Sequence, residues 1–382
     1  MNQNTSHRVL VVDDTALYRV LVSQAIEAID GYEVVGQAEN GAVALEKIRS
    51  LKPDIVLLDI EMPVMDGLQL LDRVRLRHPQ IKCMVISSVS VKGGAITLDA
   101  LQRGAVDFIT KPETQDSASS RRVLIRELQQ KLPGLVAAHR RSDHQRASSP
   151  ASNTTAKRVY GSTPSSGSSA PAVALPDVGT SIEGAIRQVS QQRIDAIVIG
   201  ISTGGPAALN TLMPRLSERS APILIVQHMP GPFLTAMAEK LNIICPLTVV
   251  EATDGQAMLD SHVYIAPGGM QMGLNTRAGG AEIKLRADPA ENHCLPSASY
   301  LMRSAAEILG RRALGIIMTG MGNDGTDGLL AMRQAGAITA AQNEATCTVF
   351  GMPKQAIHEG AAAHVLSLED IPRLINASRG HG

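Results

Sequence analysis

The stretch VLVVDDTALYRVLVSQAIEAI (residues 9–29) decides the fold class. Its four leading apolar residues suit a short strand buried on both faces. Two aspartates end the run, and apolar residues then recur at helical spacing. A strand that hands acidic residues directly to a helix is the opening unit of a parallel α/β sheet, where ligands gather at strand carboxyl ends.

The alternation continues outward from this unit. EVVGQA (33–38), DIVLLD (54–59), KCMVIS (82–87) and VDFITK (106–111) read as strands. NGAVALEKIRSL (40–51), QLLDRVRLR (69–77), GAITLDALQRG (94–104) and RRVLIRELQQKL (121–132) read as helices. Five strand–helix units over residues 8–131 predict an α/β domain of (βα)5 type with a parallel sheet covered on both faces. Composition then turns rich in Ser, Ala, Pro, Gly and Thr, as in GSTPSSGSSAPA (161–172). Residues 138–189 therefore read as a flexible linker, because such a stretch buries too little apolar area to offset its ordering entropy. Strands resume at AIVIGI (196–201), ILIVQHM (223–229), HVYIAP (262–267), GIIMTG (315–320) and GAITAAQ (336–342), with helices between them. AEIKLRA (281–287) reads as an extra strand. Residues 190–380 form a second α/β domain, doubly wound and mostly parallel.

Composition narrows the function. A chain of 382 residues holds two or three domains. Lys+Arg and Asp+Glu are each 36, which argues against a broad nucleic-acid or anionic-membrane surface. Aromatics are 2% with no Trp, so a base-stacking platform is not expected. Cys83, Cys245, Cys294 and Cys347 show no CxxC pair or Cys/His spacing, and read as reduced buried thiols, neither a disulfide frame nor a zinc site. The amino end lacks a signal-peptide apolar core, and no apolar run approaches the ~18 residues of a membrane span. A cytoplasmic location is expected.

In the first domain, Asp13 and Asp14 follow strand one, Asp59 ends strand three and Lys111 ends strand five. Carboxylates gathered on one rim repel unless a cation joins them, and this oxygen chemistry suits Mg2+. Lys111 supplies a compact positive charge for a carboxylate or phosphoryl oxygen. The alternative is that each Asp is simply a helix N-cap. VLVVDD, DIVLLDIEMPVMDG (54–67), VISS (85–88) and FITKP (108–112) together resemble a response-regulator receiver domain, which has a flavodoxin-like fold. The resemblance implies that Asp59 is phosphorylated by a histidine kinase phosphodonor. It further implies that Asp14, Asp59 and the Glu61 carbonyl hold Mg2+ with Asp13 assisting. Ser87 and Lys111 would contact the phosphoryl group, and Phe108 holds the aromatic switch position.

In the second domain, GISTGGP (200–206) has three readings. A Gly-rich turn before a helix can cradle phosphate, although GxGxxG and GK[ST] are both absent. It also fits G-x-S-x-G, a turn presenting a nucleophilic serine. The plainest reading is a strand–helix turn with Ser202 as N-cap. His228 closes the strand ILIVQ and Asp324 lies in the Gly-rich turn TGMGNDGTDG (319–328), so each alone suits a structural role. All three nonetheless fall just beyond strand ends, on one rim. A serine needs a base to attack an acyl carbon, and the base needs a partner. The order Ser…His…Asp differs from the α/β-hydrolase order. The turn around Met321 and Gly322 can aim N–H groups at an oxyanion.

IGISTGGP, VQHMPGPF, YIAPGG, IIMTGMGNDG and FGMPKQA resemble, in order, the catalytic domain of the chemotaxis protein-glutamate methylesterases. The resemblance implies a Ser202–His228–Asp324 triad, an oxyanion hole using the Met321 N–H, and support from Thr203 and Gly322. It implies demethylation of glutamyl methyl esters on chemoreceptors, deamidation of selected receptor glutamines, and no cofactor for hydrolysis. The expected partners are chemotaxis receptors and a histidine kinase, without nucleic acid or membrane insertion, and the expected state is a monomer. Ile201, Ser299 and the residues after APG depart from the common pattern, at the substrate rim. Competing readings are a methylesterase serving a non-motility pathway, a DNA-binding response regulator, and a non-catalytic phospho-dependent scaffold.

Overall fold

The computed structural model describes residues 6–88, 90–112, 116–147, 181–278 and 280–378. The first unit contains strands β1 (His7–Val12), β2 (Tyr32–Ala38), β3 (Ile55–Asp59), β4 (Lys82–Ser87) and β5 (Asp107–Thr110). Its helices are α1 (Ala16–Glu27), α2 (Gly41–Leu51), α3 (Gly67–Arg77), α4 (Val91–Gln102) and α5 (Ser117–Ala147). All ladders are parallel and the sheet order is β2-β1-β3-β4-β5. The chain reverses direction between β1 and β3, which opens the crevice into which Asp13 and Asp59 project. Val9 to Val12 and Ile55 to Leu58 are almost wholly buried, as their unbroken apolar runs require.

The second unit contains β6 (Ala196–Ile201), β7 (Ile223–Gln227), β8 (Thr248–Glu251), β9 (His262–Ile265), β10 (Gln271–Arg277), β11 (Gly280–Arg286), β12 (Ala313–Ile317), β13 (Ile338–Gln342) and β14 (His364–Leu366). Its helices are α6 (Ile182–Gln191), α7 (Gly205–Leu212), α8 (Gly231–Ile244), α9 (Ala298–Leu309), α10 (Thr326–Gln334), α11 (Met352–His358) and α12 (Ile371–Ala377). The seven-stranded sheet, β14-β13-β12-β6-β7-β9-β8, is parallel throughout. β10 and β11 form a separate antiparallel ribbon, which accounts for the extra strand expected at 281–287.

Two boundaries differ from the sequence expectation of a linker at 138–189. Helix α5 runs on to Ala147, and α6 begins at Ile182. Buried apolar residues anchor the part of each helix nearest its sheet. Leu124, Leu128, Leu132 and Leu135 are fully buried against the first sheet, carrying α5 through Pro133. Ile182, Ala185 and Val189 are buried in one cluster with Leu366, Ile371 and Leu374, so the second unit starts near 182, not 190. Residues 148–180, the rest of the expected linker, lie outside the described residues.

Candidate active site beneath the first domain

Chain direction in the larger sheet switches between β6 and β12, and the site forms at the carboxyl ends of these strands and β7. Ser202 follows β6, His228 follows β7 and Asp324 lies seven residues after β12. Ser202 is held by its backbone: its N–H donates to the Thr319 carbonyl at 3.0 Å, and Gln227 Nε2 donates to its carbonyl at 3.1 Å. The turn then needs Gly204, whose φ of 78° is left-handed and whose added Cβ would lie 2.4 Å from Thr348. Gly320 is needed for closeness instead, since a Cβ there would stand 2.8 Å from the Ser202 Cβ. Among the described residues no acceptor takes the N–H of Thr203 or of Met321. Gly322, in the same turn, has φ 87°.

His228 Nε2 and Asp324 Oδ2 are 2.8 Å apart. Asp324 is 2% exposed and, from the turn before α10, accepts the first amides of α9. Its Oδ1 accepts from Ser297 Oγ at 2.7 Å, the Ser299 N–H at 3.2 Å and Asn292 Nδ2 at 3.2 Å. Its Oδ2 also accepts the Ala298 N–H at 2.7 Å. Burial alone would raise this carboxyl's pKa, but His228, Ser297 and the Ala298 amide hold it well below the ordinary carboxylate range. Burial likewise opposes the imidazolium of His228, yet Asp324 and Cys294 outweigh it and lift its pKa to about 9. Nδ1 of His228 faces the cavity, 3.7 Å from Cys294 Sγ. Among the described residues Ser202 Oγ makes no hydrogen bond, so the serine and the imidazole line one cavity without being joined.

Ser297 and Asn292 were not singled out in the sequence, and Ser299, expected at the substrate rim, is instead buried against Asp324 and accepts the Gly325 N–H at 2.8 Å. The Pro-Ser pair before a helical run did carry an N-cap signal. ENHC (291–294) carried none, because it reaches the site only through the tertiary fold.

The first domain covers this site. A cavity of about 630 Å³ is lined from one side by Leu101, Asp107, Phe108 and Lys131, and from the other by Ser202 and His228. Thr203 Oγ1 donates to Asp107 Oδ2 at 2.6 Å, and Lys131 Nζ lies 3.2 Å from Asp107 Oδ1. Phe108 stacks on Phe233 of α8 with ring centroids 4.6 Å apart. Lys240 of α8 pairs with Asp99 and donates to the Ala95 carbonyl, both in α4. Buried apolar residues of both sheets belong to one continuous cluster.

In the first domain, donor oxygens of Asp13, Asp14 and Asp59 lie within 4.8 Å of one another. Lys111 Nζ is 2.8 Å from Asp59 Oδ2 and 2.9 Å from Asp13 Oδ2. The second contact has the charge but not the angle of a hydrogen bond, so Asp13 Oδ2 is buried without one. Burial raises the Asp59 pKa despite Lys111. It opposes the Lys111 charge, which the two carboxylates more than restore. An under-satisfied buried oxygen among three carboxylates fits a hard divalent cation such as Mg2+. Asp14, Asp59, Glu61, Ser87 and Lys111 line one cavity of about 230 Å³. Ser87 Oγ pairs with Thr97 Oγ1 of α4 at 2.6 Å and does not reach Asp59.

The receiver-domain family model (response regulator receiver domain) matches residues 9–121, and the CheB methylesterase model matches 197–375. A protein-glutamate methylesterase/protein-glutamine glutaminase from Desulfotalea psychrophila is 40% identical over 375 residues, covering 96% of this chain and 97% of that one. Its namesake from Escherichia coli strain K12 is 38% identical over 376 residues, covering 98% and 97%. The solved CheB methylesterase catalytic domain of Thermotoga maritima is 40% identical, with a TM-score of 0.47 over 48% of this chain and 97% of that one. The response regulator domain of Thermotoga maritima CheB is 41% identical, with a TM-score of 0.30 over 32% and 92%.

Proposed function

We propose a function from one premise: the chain belongs to the CheB methylesterase family and carries a response regulator receiver domain at its amino end. It is a protein-glutamate methylesterase and protein-glutamine glutaminase acting on chemotaxis receptors, switched by phosphorylation at Asp59. The observation that carries the reading is the His228–Asp324 pair sharing one cavity with Ser202 at the sheet's switch point. Among the described residues no helix is long and apolar enough to cross a membrane.

Ser202 Oγ attacks the ester carbonyl. Its proton goes to His228 Nδ1, the nitrogen that Asp324 leaves free, while Asp324 stabilises the imidazolium through Nε2. The N–H of Met321, with that of Thr203, meets the developing oxyanion. Collapse expels methanol with the proton from Nδ1, and water then clears the glutamyl–serine ester. A glutamine substrate loses ammonia by the same route. Methanol release from methylated receptors, with and without a phosphodonor, tests the assignment. No release under either condition would overturn it.

The elevated pKa sets the pH profile. The base form of His228 grows as pH rises toward about 9. kcat/KM of the unphosphorylated protein should therefore climb well beyond the ordinary histidine value of about 6.5. A profile already level near neutrality would mean that the imidazole is not held protonated.

Asp59 accepts the phosphoryl group, and Mg2+ held by Asp14, Asp59 and the Glu61 carbonyl would supply charge neutralisation at the attacked phosphorus. Lys111 keeps its charge against the phosphoryl oxygens, and Ser87 exchanges Thr97 for the phosphoryl group. Small phosphodonors should label the protein only when Mg2+ is present, and Asp59→Asn should remove the label. Equal labelling of that variant would place the acceptor elsewhere.

Unphosphorylated, the receiver blocks the rim: Leu101, Asp107, Phe108 and Lys131 wall the cavity of Ser202, where a receptor helix of roughly 10–12 Å diameter would have to enter. A buried hydrogen bond to a charged group is worth roughly 1.5–3 kcal/mol. Asp107→Ala should therefore open the interface and raise unphosphorylated methanol release by about tenfold or more. A rate unchanged or lower would show that Asp107 does not hold the domains closed.

A further inference from the structure

We propose that a thiophilic divalent cation, of which Zn2+ is the biological representative, binds between Cys294 Sγ and His228 Nδ1 and switches the hydrolase off. The inhibitory consequence rests on the esterase reading above, whereas the binding site does not.

Cys294 Sγ and His228 Nδ1 are 3.7 Å apart. Zinc bonds of about 2.3 Å to sulfur and 2.0–2.1 Å to nitrogen, set at a tetrahedral angle, place their donors roughly 3.5–3.6 Å apart. The pair thus needs only a small adjustment to receive the ion. Asp324 Oδ2 already holds Nε2 at 2.8 Å. That is the carboxylate–histidine arrangement in which an outer acid fixes the tautomer and directs the other nitrogen at a metal. Donor atoms of His228, Cys294 and Asp324 all lie within 4.8 Å of one another.

The thiol is presented on a constrained turn. Glu291 and Cys294 exchange backbone hydrogen bonds at 3.1 and 2.7 Å. Between them Asn292 and His293 both take left-handed φ values, 50° and 63°. Asn292 is anchored in turn to Asp324. Cys294 is half-buried and opens on the 630 Å³ cavity, which has room for the waters that would complete the coordination.

Two protein donors make this a reversible site, weaker than a closed structural zinc centre. Its effect is nonetheless direct, because the ion takes the lone pair that must accept the Ser202 proton. Ligand chemistry separates it from the receiver's acidic cluster: thiolate and imidazole favour Zn2+, whereas the all-carboxylate cluster favours Mg2+. Magnesium that supports phosphorylation leaves this second site empty.

The test uses the full chain stripped of metal by a chelator. Co2+ titration should produce the near-ultraviolet absorption of a thiolate–cobalt bond, and Zn2+ should displace it. Cys294→Ser should lose the band, while Cys347→Ser keeps it. In parallel, Zn2+ should suppress methanol release, and the half-inhibiting concentration should rise by about tenfold or more in Cys294→Ser. Each variant's metal-free melting curve shows that it folds, and Cys294→Ala repeats the comparison if the serine variant does not. Absence of the band, its survival in both Cys294 variants, or equal Zn2+ sensitivity of wild type and variants would overturn the proposal. A Cys294-dependent band in a protein that never releases methanol would leave the metal site standing and remove the esterase reading.

Discussion

Ser202→Ala should abolish ester hydrolysis, lowering kcat by roughly 10⁵–10⁶-fold, as expected when a serine nucleophile is removed from a working triad. His228→Ala should cost about as much. The informative measurement is the double variant, which should be little worse than either single one. In the proposed mechanism nucleophile and base act on one proton transfer, so losing either would remove the same step. The site's construction makes the comparison clean: the backbone of Ser202 is held by the Thr319 carbonyl and the Gln227 side-chain amide, and neither contact involves the hydroxyl. Receptor binding should survive Ser202→Ala. Losses that multiply in the double variant would break the shared mechanism, and a variant that still releases methanol at the wild-type rate would leave only a scaffold.

Asp324→Asn is the second large effect, expected at roughly 10⁴-fold in kcat, because an amide cannot stabilise the imidazolium or fix its tautomer. Here the substitution should also weaken the fold. Both oxygens of Asp324 accept hydrogen bonds, from Ser297, Ala298, Ser299 and Asn292 as well as His228. An asparagine turns an NH2 toward at least one N–H donor at the start of α9. The cost of leaving such buried groups unpaired is about 1–3 kcal/mol each. Chemical denaturation should therefore show a measurable loss of stability alongside the loss of turnover. Near-normal activity would reduce Asp324 to a helix cap and place the third member elsewhere. Full activity loss with unchanged stability would show that the α9 contacts relax around the amide.

Removing Asp324 also tests the pH argument. Without the carboxylate, the main cause holding the His228 pKa near 9 is gone, so whatever activity remains should reach its plateau at lower pH. The direction follows from the sign of the interaction: a lost anion disfavours the charged imidazole.

Much of this molecule was legible in order along the chain. Strand cores such as VLVV, IVLL and AIVIGI are unbroken apolar runs, and only burial on both faces makes such runs stable. Parallel strands connected by helices then deliver Asp13, Asp59, Ser202 and His228 to strand ends without any knowledge of distances. Helix α6 escaped reading because it lies in the stretch read as a linker, and two strands escaped because they are short and peripheral. β8 and β14, of four and three residues, lie at the two sheet edges, where side chains pack on one neighbour only. The helical run read at 121–132 stops just short of Pro133, a residue type that normally breaks a helix. Burial of Leu135 carries it past Pro133.

The sequence by itself therefore determined two parallel α/β units, their order, and the residues that stand on each rim. Periodicity and burial are properties of neighbouring residues, so they are written locally. Only the tertiary structure decided which nitrogen of His228 meets Asp324, that α9 donates its first amides to that carboxylate, and that Cys294 faces the other nitrogen. It alone decided that Asp107 reaches across 96 residues to Thr203 and that Phe108 stacks on Phe233. These contacts join segments far apart in the chain. Their energies depend on distance and angle after folding, which no local pattern of residue types records.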